Sequence, residues 1–196
     1  MKTKNLLLHI CCGPCSIYSW QELEKSGFNL CGYFFNPNIH PYREFIRRLE
    51  ALRSLASQEG REIIIDQSYP MEEYLRMVVN HEEERCPLCY RMRLEETARK
   101  AREKGIENIS TTLLISPYQK HDLLKDLGEK IAGEYGLHFV YKDLRPGFRE
   151  SMAQARQKGL YMQGYCGCIY SEKERYSAGK QKARRQPDAD DISKAR

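Results

Sequence analysis

The sequence predicts an α/β fold, a single domain with a mostly parallel sheet flanked by helices. Three observations carry this expectation. Short apolar runs alternate with amphipathic helical stretches along most of the chain, the pattern of repeated strand–helix units with right-handed crossovers. The first run, Asn5 to Ile10, is continuously apolar and ends at cysteine, glycine and proline, as a strand buried on both faces should. No internal repeat and no linker interrupts the chain before about residue 177, so most of its 196 residues can share one core.

The elements follow in order. After the strand at 5–10, Ser16–Lys25 has helical spacing, with Ile17, Trp20 and Leu23 on one side and Gly27 as the stop. Leu30–Phe35 is the second strand, closed by the turn residues Asn36, Pro37 and Asn38. Tyr42–Gln58 is a charged amphipathic helix carrying Phe45, Ile46, Leu49, Leu52, Leu55 and Ala56. Glu62–Ile65 is the third strand, Met71–Val79 a helix, and a longer helix runs from about Cys86 to Lys104. Ser110–Ile115 reads as the fourth strand, Asp122–Tyr135 as a helix and His138–Tyr141 as the fifth strand. A last helical stretch spans Tyr170–Tyr176. Residues 1–176 are therefore expected to form the domain. Residues 177–196, with Lys180, Lys182, Arg184 and Arg185 before Asp188, Asp190 and Asp191, are expected to form a flexible basic and acidic tail.

Composition narrows the function. The chain is 41% hydrophobic and 30% charged, a soluble balance, and no apolar run approaches the roughly 20 residues that span a bilayer. The apolar start is too short for a secretory signal and runs directly into cysteines. A cytoplasmic, reducing compartment is expected, where eight cysteines argue for metal or catalysis and against structural disulfides. The net charge of +5 is compatible with an anionic partner such as RNA.

Seven of the eight cysteines fall in three short clusters. Cys11, Cys12 and Cys15 follow the first strand, at the sheet edge where open parallel sheets bind ligands. Pro14 suits the first turn of the next helix, and Gly13 lets the chain leave the strand so that adjacent cysteines can face one site. Cys86 and Cys89 are expected on one face of a helical first turn, Cys86 at the N-cap, where the positive helix end favours thiolates. Two cysteine pairs fit tetrahedral zinc or a 4Fe–4S cluster, and spacing does not separate these. Cys166 and Cys168, one glycine apart, would close a small, strained and easily reduced disulfide ring, or else ligate a metal. Cys31, alone in an apolar strand, reads as packing, and His9 as a satisfied core histidine. His40 and Tyr42 after the second strand, and Tyr118 and Gln119 after the fourth, stand where they can contact a base.

Five segments together resemble the epoxyqueuosine reductases of the QueH type: His9-Ile10-Cys11-Cys12-Gly13-Pro14-Cys15; Phe35-Asn36-Pro37-Asn38-Ile39-His40-Pro41; Cys86-Pro87-Leu88-Cys89-Tyr90-Arg91-Met92-Arg93-Leu94; Ser116-Pro117-Tyr118-Gln119; and Tyr165-Cys166-Gly167-Cys168-Ile169-Tyr170-Ser171. The resemblance covers residues 5 to about 176 and implies an adenine-nucleotide hydrolase-like (HUP-like) α/β fold. It implies reduction of an epoxide to an alkene on the modified wobble nucleoside of tRNA, the last step to queuosine. Carried over by motif, Cys11, Cys12, Cys86 and Cys89 would hold a 4Fe–4S cluster, while Cys166 and Cys168 would form a redox-active disulfide. Cys15 would lie near an additional iron ion. The partners implied are tRNA carrying epoxyqueuosine and an electron donor that the sequence does not identify.

Two rivals come from other classes. A tRNA-thiolating enzyme of the same α/β class needs a glycine- and serine-rich phosphate loop after the first strand, where this chain has Cys-Cys-Gly-Pro-Cys. A zinc-stabilised RNA-binding module accounts for four cysteines and leaves Cys166 and Cys168 idle.

Overall fold

The computed structural model describes residues 4–184, with side chains through residue 177. A five-stranded sheet is built from β1 (Lys4–His9), β2 (Phe28–Phe34), β3 (Ile63–Ile65), β4 (Asn108–Thr111) and β5 (His138–Phe139), in the order β3-β2-β1-β4-β5. Every pairing is parallel, so all carboxyl ends lie on one edge. The expected single α/β domain is what the structure shows. Its strand order reverses between β1 and β4, which makes the end of β1 the topological switch point where such sheets bind ligands.

Helices cover both faces: α1 (Gly13–Lys25), α2 (Tyr42–Glu59), α4 (Arg85–Glu103) and α5 (His121–Glu134). The alternation of a strand sorts the core. Leu6 and Leu8 pack with Trp20, Leu23, Phe45 and Leu52 of α1 and α2, while Leu7 packs with Leu94, Ala98, Leu124 and Ile131 of α4 and α5. Burying both faces of β1 is why its sequence is apolar without interruption. Helix α3 (Met71–Val78) lies against the start of α4, where Tyr74 and Val78 meet Cys89 and Cys168.

Several boundaries differ from expectation. The fourth strand stops at Thr111, because Thr111 Oγ1 accepts from the Leu113 amide and starts a 3-10 turn over Thr112–Ile115. The fifth strand keeps only two residues, since it pairs with β4 alone and β4 is itself short. Helix α6 (Phe148–Gln157) has no counterpart in the sequence reading. It docks on α1 through small residues: Ser151 Oγ donates to the Pro14 carbonyl at 2.6 Å and accepts from the Tyr18 amide at 3.2 Å. With only Ser151 and Ala155 buried, no stripe of large apolar residues marks it. Helix α7 (Ile169–Arg184) continues through 177–184, part of the segment expected to be a flexible tail, and residues 185–196 lie outside the described residues.

Candidate active site

The site begins where β1 ends. Cys12 is the N-cap of α1 in extended conformation and Pro14 occupies the first turn, as the sequence suggested. Gly13 serves a different purpose from the one expected. A Cβ there would stand 3.2 Å from the Ala51 carbonyl oxygen, so glycine is needed for the close approach of α1 to α2. This entry brings the sulfurs of Cys11, Cys12 and Cys15 within 4.8 Å of one another, all three residues buried. Among the described residues it is the one such group of potential metal ligands.

The three thiols titrate together. The Cys11 thiol is lowered because the Cys12 and Cys15 thiols hydrogen-bond its thiolate form, while Cys12 is raised by burial and Cys15 by those same two neighbours. The trio thus shares one thiolate, placed on Cys11. Neighbours from three other elements hold it. Thr112 Oγ1 accepts from the Cys11 amide at 3.0 Å and donates to Cys11 Sγ at 3.3 Å. Gln163 Nε2 donates to Cys12 Sγ at 2.8 Å and lies 3.7 Å from Cys15 Sγ. Below them, His9 Nε2 donates to the Phe35 carbonyl, so Nδ1 accepts from Thr111 Oγ1 at 2.9 Å. Burial depresses its pKa to about 3, and His9 is the satisfied core histidine the sequence suggested.

The second pair stands on α4. A 3-10 turn, Glu82–Glu84, runs straight into the helix, so Cys86 lies inside the first turn and not at the N-cap. Three glutamates in that turn offset the positive helix end. Burial instead pushes the Cys86 thiol up, and that of Cys89 up to about 12, contrary to the thiolate-favouring end expected from sequence. Cys86 packs against the same buried cluster that holds Cys11, Cys12 and Cys15. Between the two groups sits Arg93, 2% exposed. Its Nη1 donates to Cys89 Sγ at 3.4 Å and to Asn38 Oδ1 at 3.3 Å, while Nε and Nη2 have no partner.

The third pair lies in the turn before α7. Cys166 is exposed and Cys168 buried, the latter beside Tyr74, Val78 and Cys89. Gly167 between them has φ +149°, a conformation that side-chain-bearing residues rarely adopt. A cleft of about 620 Å³ joins the groups, lined by Cys11, Cys15, Arg48, Tyr118, Gln119 and Cys166 among others. Gln119 Nε2 donates to Cys166 Sγ at 3.3 Å and its Oε1 accepts from Tyr90 at 2.7 Å; Tyr118 is 83% exposed at the mouth. Tyr118 and Gln119 therefore stand in the cleft. His40 and Tyr42 do not line it: His40 is buried between Tyr69 and Tyr74, and Tyr42 lies at the surface against Phe45 and Tyr69. Cys31 is half-buried in β2, as a packing residue should be.

The sequence model of one family, described as epoxyqueuosine reductase QueH, matches residues 6–174. The chain belongs to this family. The epoxyqueuosine reductase QueH of Dehalococcoides mccartyi is 44% identical over 171 residues, covering 87% of this chain and 94% of that protein. That of Thermotoga maritima is 32% identical over 180 residues, covering 87% and 91%. Among solved structures, a predicted subunit of a tRNA methyltransferase from Methanocaldococcus jannaschii aligns with TM-score 0.51 over 78% of this chain and 74% of that one. At 15% identity that likeness speaks for the fold alone. Membership in a reductase family sets aside both rivals, the thiolating enzyme and the non-catalytic module. Among the described residues no helix is long and apolar enough to cross a membrane.

Arg48, Arg93, Thr112 and Gln163 were not singled out by the sequence reading. Arg93 lies within the motif at 86–94 and only its burial reveals its place; Gln163 stands in no motif and is brought in by the fold.

Proposed function

We propose that this chain reduces epoxyqueuosine to queuosine at the wobble position of tRNA, with Cys166 and Cys168 as the two-electron donor. The observation that carries the reading is the shared cleft, which brings Cys11 and Cys15 of a buried thiol group and the exposed thiol of Cys166 to one space. The relatives' printed names supply the substrate, and a tRNA bearing the epoxide and a separate electron donor are the partners. A cytoplasmic, reducing setting suits a pair that must return to its thiol form.

The donor set fits a polynuclear, anionic group held by Cys11, Cys12, Cys86 and Cys89. Four ligands of a single tetrahedral ion must converge on one point, whereas these thiols are spread around Arg93. That guanidinium is buried with two nitrogens unpartnered, and a buried cation calls for a compensating negative charge. A 4Fe–4S cluster there would supply one-electron transfer and a Lewis-acidic iron at the cleft. Cys15, third member of the thiol trio, would hold an additional iron ion.

The residues of the chain account for the rest. The epoxide and two thiols give the alkene, water and a disulfide: two electrons leave the sulfurs and two protons leave with the oxygen. Cys166 presents its sulfur to the cleft and Gln119 orients it. Cys168 closes the disulfide, and the electron donor restores the pair. Tyr118 at the mouth offers a ring on which a base can stack, and His40 and Tyr42 serve the substrate less directly, through the loop that borders the 165–168 turn.

The test separates electron reservoir from ligand. Cys166→Ser and Cys168→Ser should retain iron and visible colour and lose turnover. Reduced protein mixed with substrate tRNA and no donor should lose two free thiols per epoxide consumed, placed by mass spectrometry on the peptide Tyr165–Tyr170. A serine variant that loses its iron, or one that stays active, contradicts the assignment.

A further inference from the structure

Arg48 of α2 is 2% exposed, yet each of its guanidinium nitrogens has a partner. Nε donates to Glu44 Oε1 at 2.7 Å, Nη1 to the Cys166 carbonyl at 2.8 Å, and Nη2 to the Tyr165 carbonyl at 3.0 Å. The guanidinium carbon lies 5.5 Å from the centroid of the Tyr165 ring. Glu44 is itself buried, and its second oxygen accepts from the Tyr161 hydroxyl at 2.5 Å. The turn carrying the redox pair makes few other fixed contacts: the Gly167 carbonyl accepts from the His40 amide at 2.8 Å, and the Tyr165 hydroxyl donates to the His40 carbonyl.

We propose that Arg48 is the positioning residue of the Cys166–Cys168 pair, its guanidinium fork holding the turn so that one thiol opens to the cleft while the other stays buried. The proposal rests on reading this pair as the electron donor. The physical basis is the match between a planar fork and two successive carbonyls. These carbonyls belong to an irregular segment, where no helix or sheet ladder fixes them. A lysine ammonium is a single point of charge and cannot satisfy both carbonyls and Glu44 in the same plane. Glu44 and Tyr161 in turn fix the fork, so the geometry of the thiols is set from a helix and not from the loop that bears them. The clamped turn holds the pair as separated thiols, and closing the disulfide requires Cys168 to leave the Tyr74–Val78–Cys89 packing. The clamp therefore favours the dithiol, the form that must be present before each turnover.

The experiment equilibrates the purified protein in glutathione buffers, traps free thiols by alkylation, and reads Cys166 and Cys168 by mass spectrometry. Iron content and circular dichroism are measured on the same samples. Arg48→Ala should move the dithiol–disulfide equilibrium at least about tenfold toward disulfide, about 30 mV for this two-electron couple, and raise alkylation of Cys168 relative to Cys166. Free guanidinium at sub-denaturing concentration should restore part of both changes, and Arg48→Lys should behave like Arg48→Ala. Glu44→Gln and Tyr161→Phe, which keep the fork but loosen its seat, should shift both readings the same way by less. Wild-type equilibrium and wild-type alkylation ratio in Arg48→Ala and Glu44→Gln overturn the proposal. If Arg48→Ala does not fold, wild-type values in Tyr161→Phe and Glu44→Gln overturn it equally. Failure of the wild-type pair to lose thiols to substrate would instead overturn the electron-donor reading, and the glutathione equilibrium would still decide the role of Arg48.

Discussion

Gly167→Ala tests the geometry of the redox turn with a single methyl group. The residue sits at φ +149°, and an alanine forced there is strained by about 1–3 kcal/mol. The added Cβ would lie 3.2 Å from Asn38 Nδ2, 3.3 Å from Ile39 Cγ1 and 3.4 Å from Arg48 Nη1, each tight enough to require a shift of a few tenths of an ångström. Two of these neighbours are tethered, Asn38 by Arg93 and Arg48 by the Cys166 carbonyl and Glu44, so they yield at a cost. Against this, alanine reduces the entropy of the unfolded chain, which returns about 0.4–1 kcal/mol. The net loss should be about 1–3 kcal/mol, read as a lower urea midpoint with an unchanged m-value. The turn lies beside the cluster ligands without supplying one, so iron content should hold. Turnover and the Cys166 alkylation rate should change. A variant as stable as wild type, with its Cys166 reactivity intact, would show that the turn does not hold the conformation described and would refute the reasoning.

Replacing Cys11, Cys12, Cys86 or Cys89 singly by serine should bleach the visible absorbance and abolish turnover; full iron content in any one of these variants removes that residue from the ligand set. Burial holds the His40 imidazole below its usual range, with both ring nitrogens unpartnered. The unfolded chain therefore takes up a proton near pH 6.5 that the folded chain refuses. Stability should fall as pH drops below that value, by at most about 1.4 kcal/mol per pH unit for this one group. His40→Gln should flatten the slope between pH 7 and 5, and equal slopes in urea titrations of the two proteins would sink the idea. Deleting residues 185–196, which removes Arg185 and the acidic residues at 188, 190 and 191, should leave iron content unchanged. If Arg185 contacts RNA, the log–log salt dependence of tRNA binding should flatten by about 0.7 for a phosphate on a single-stranded loop, and an unchanged slope assigns it no contact.

Period and punctuation in the sequence determined most of the fold. The uninterrupted apolar run at 5–10, the amphipathic pattern from Tyr42 and the turn residues after Phe35 are local features, and each leads to an element the structure contains. The three cysteine clusters were equally legible, because reactive residue types at short spacing advertise themselves without knowledge of the fold. Helix α6 escaped because its docking uses Ser151 and Ala155, whose burial is a property of the partner surface on α1. Cys86 was misplaced by one cap position because a 3-10 turn can continue into an α-helix without any break in the residue pattern. The supporting groups of the site belong wholly to tertiary structure. Arg48 and Arg93 read in the chain as charges on helix faces, which are ordinarily solvated. Only the packing of α2 against the 165–168 turn, and of α4 between the cysteine groups, buries their guanidinium groups. Gln163 meets Cys12 across 151 positions of chain. Periodicity reports which face of one element is apolar; which charges that face meets is decided by contacts between elements distant in sequence, and those have no local signature.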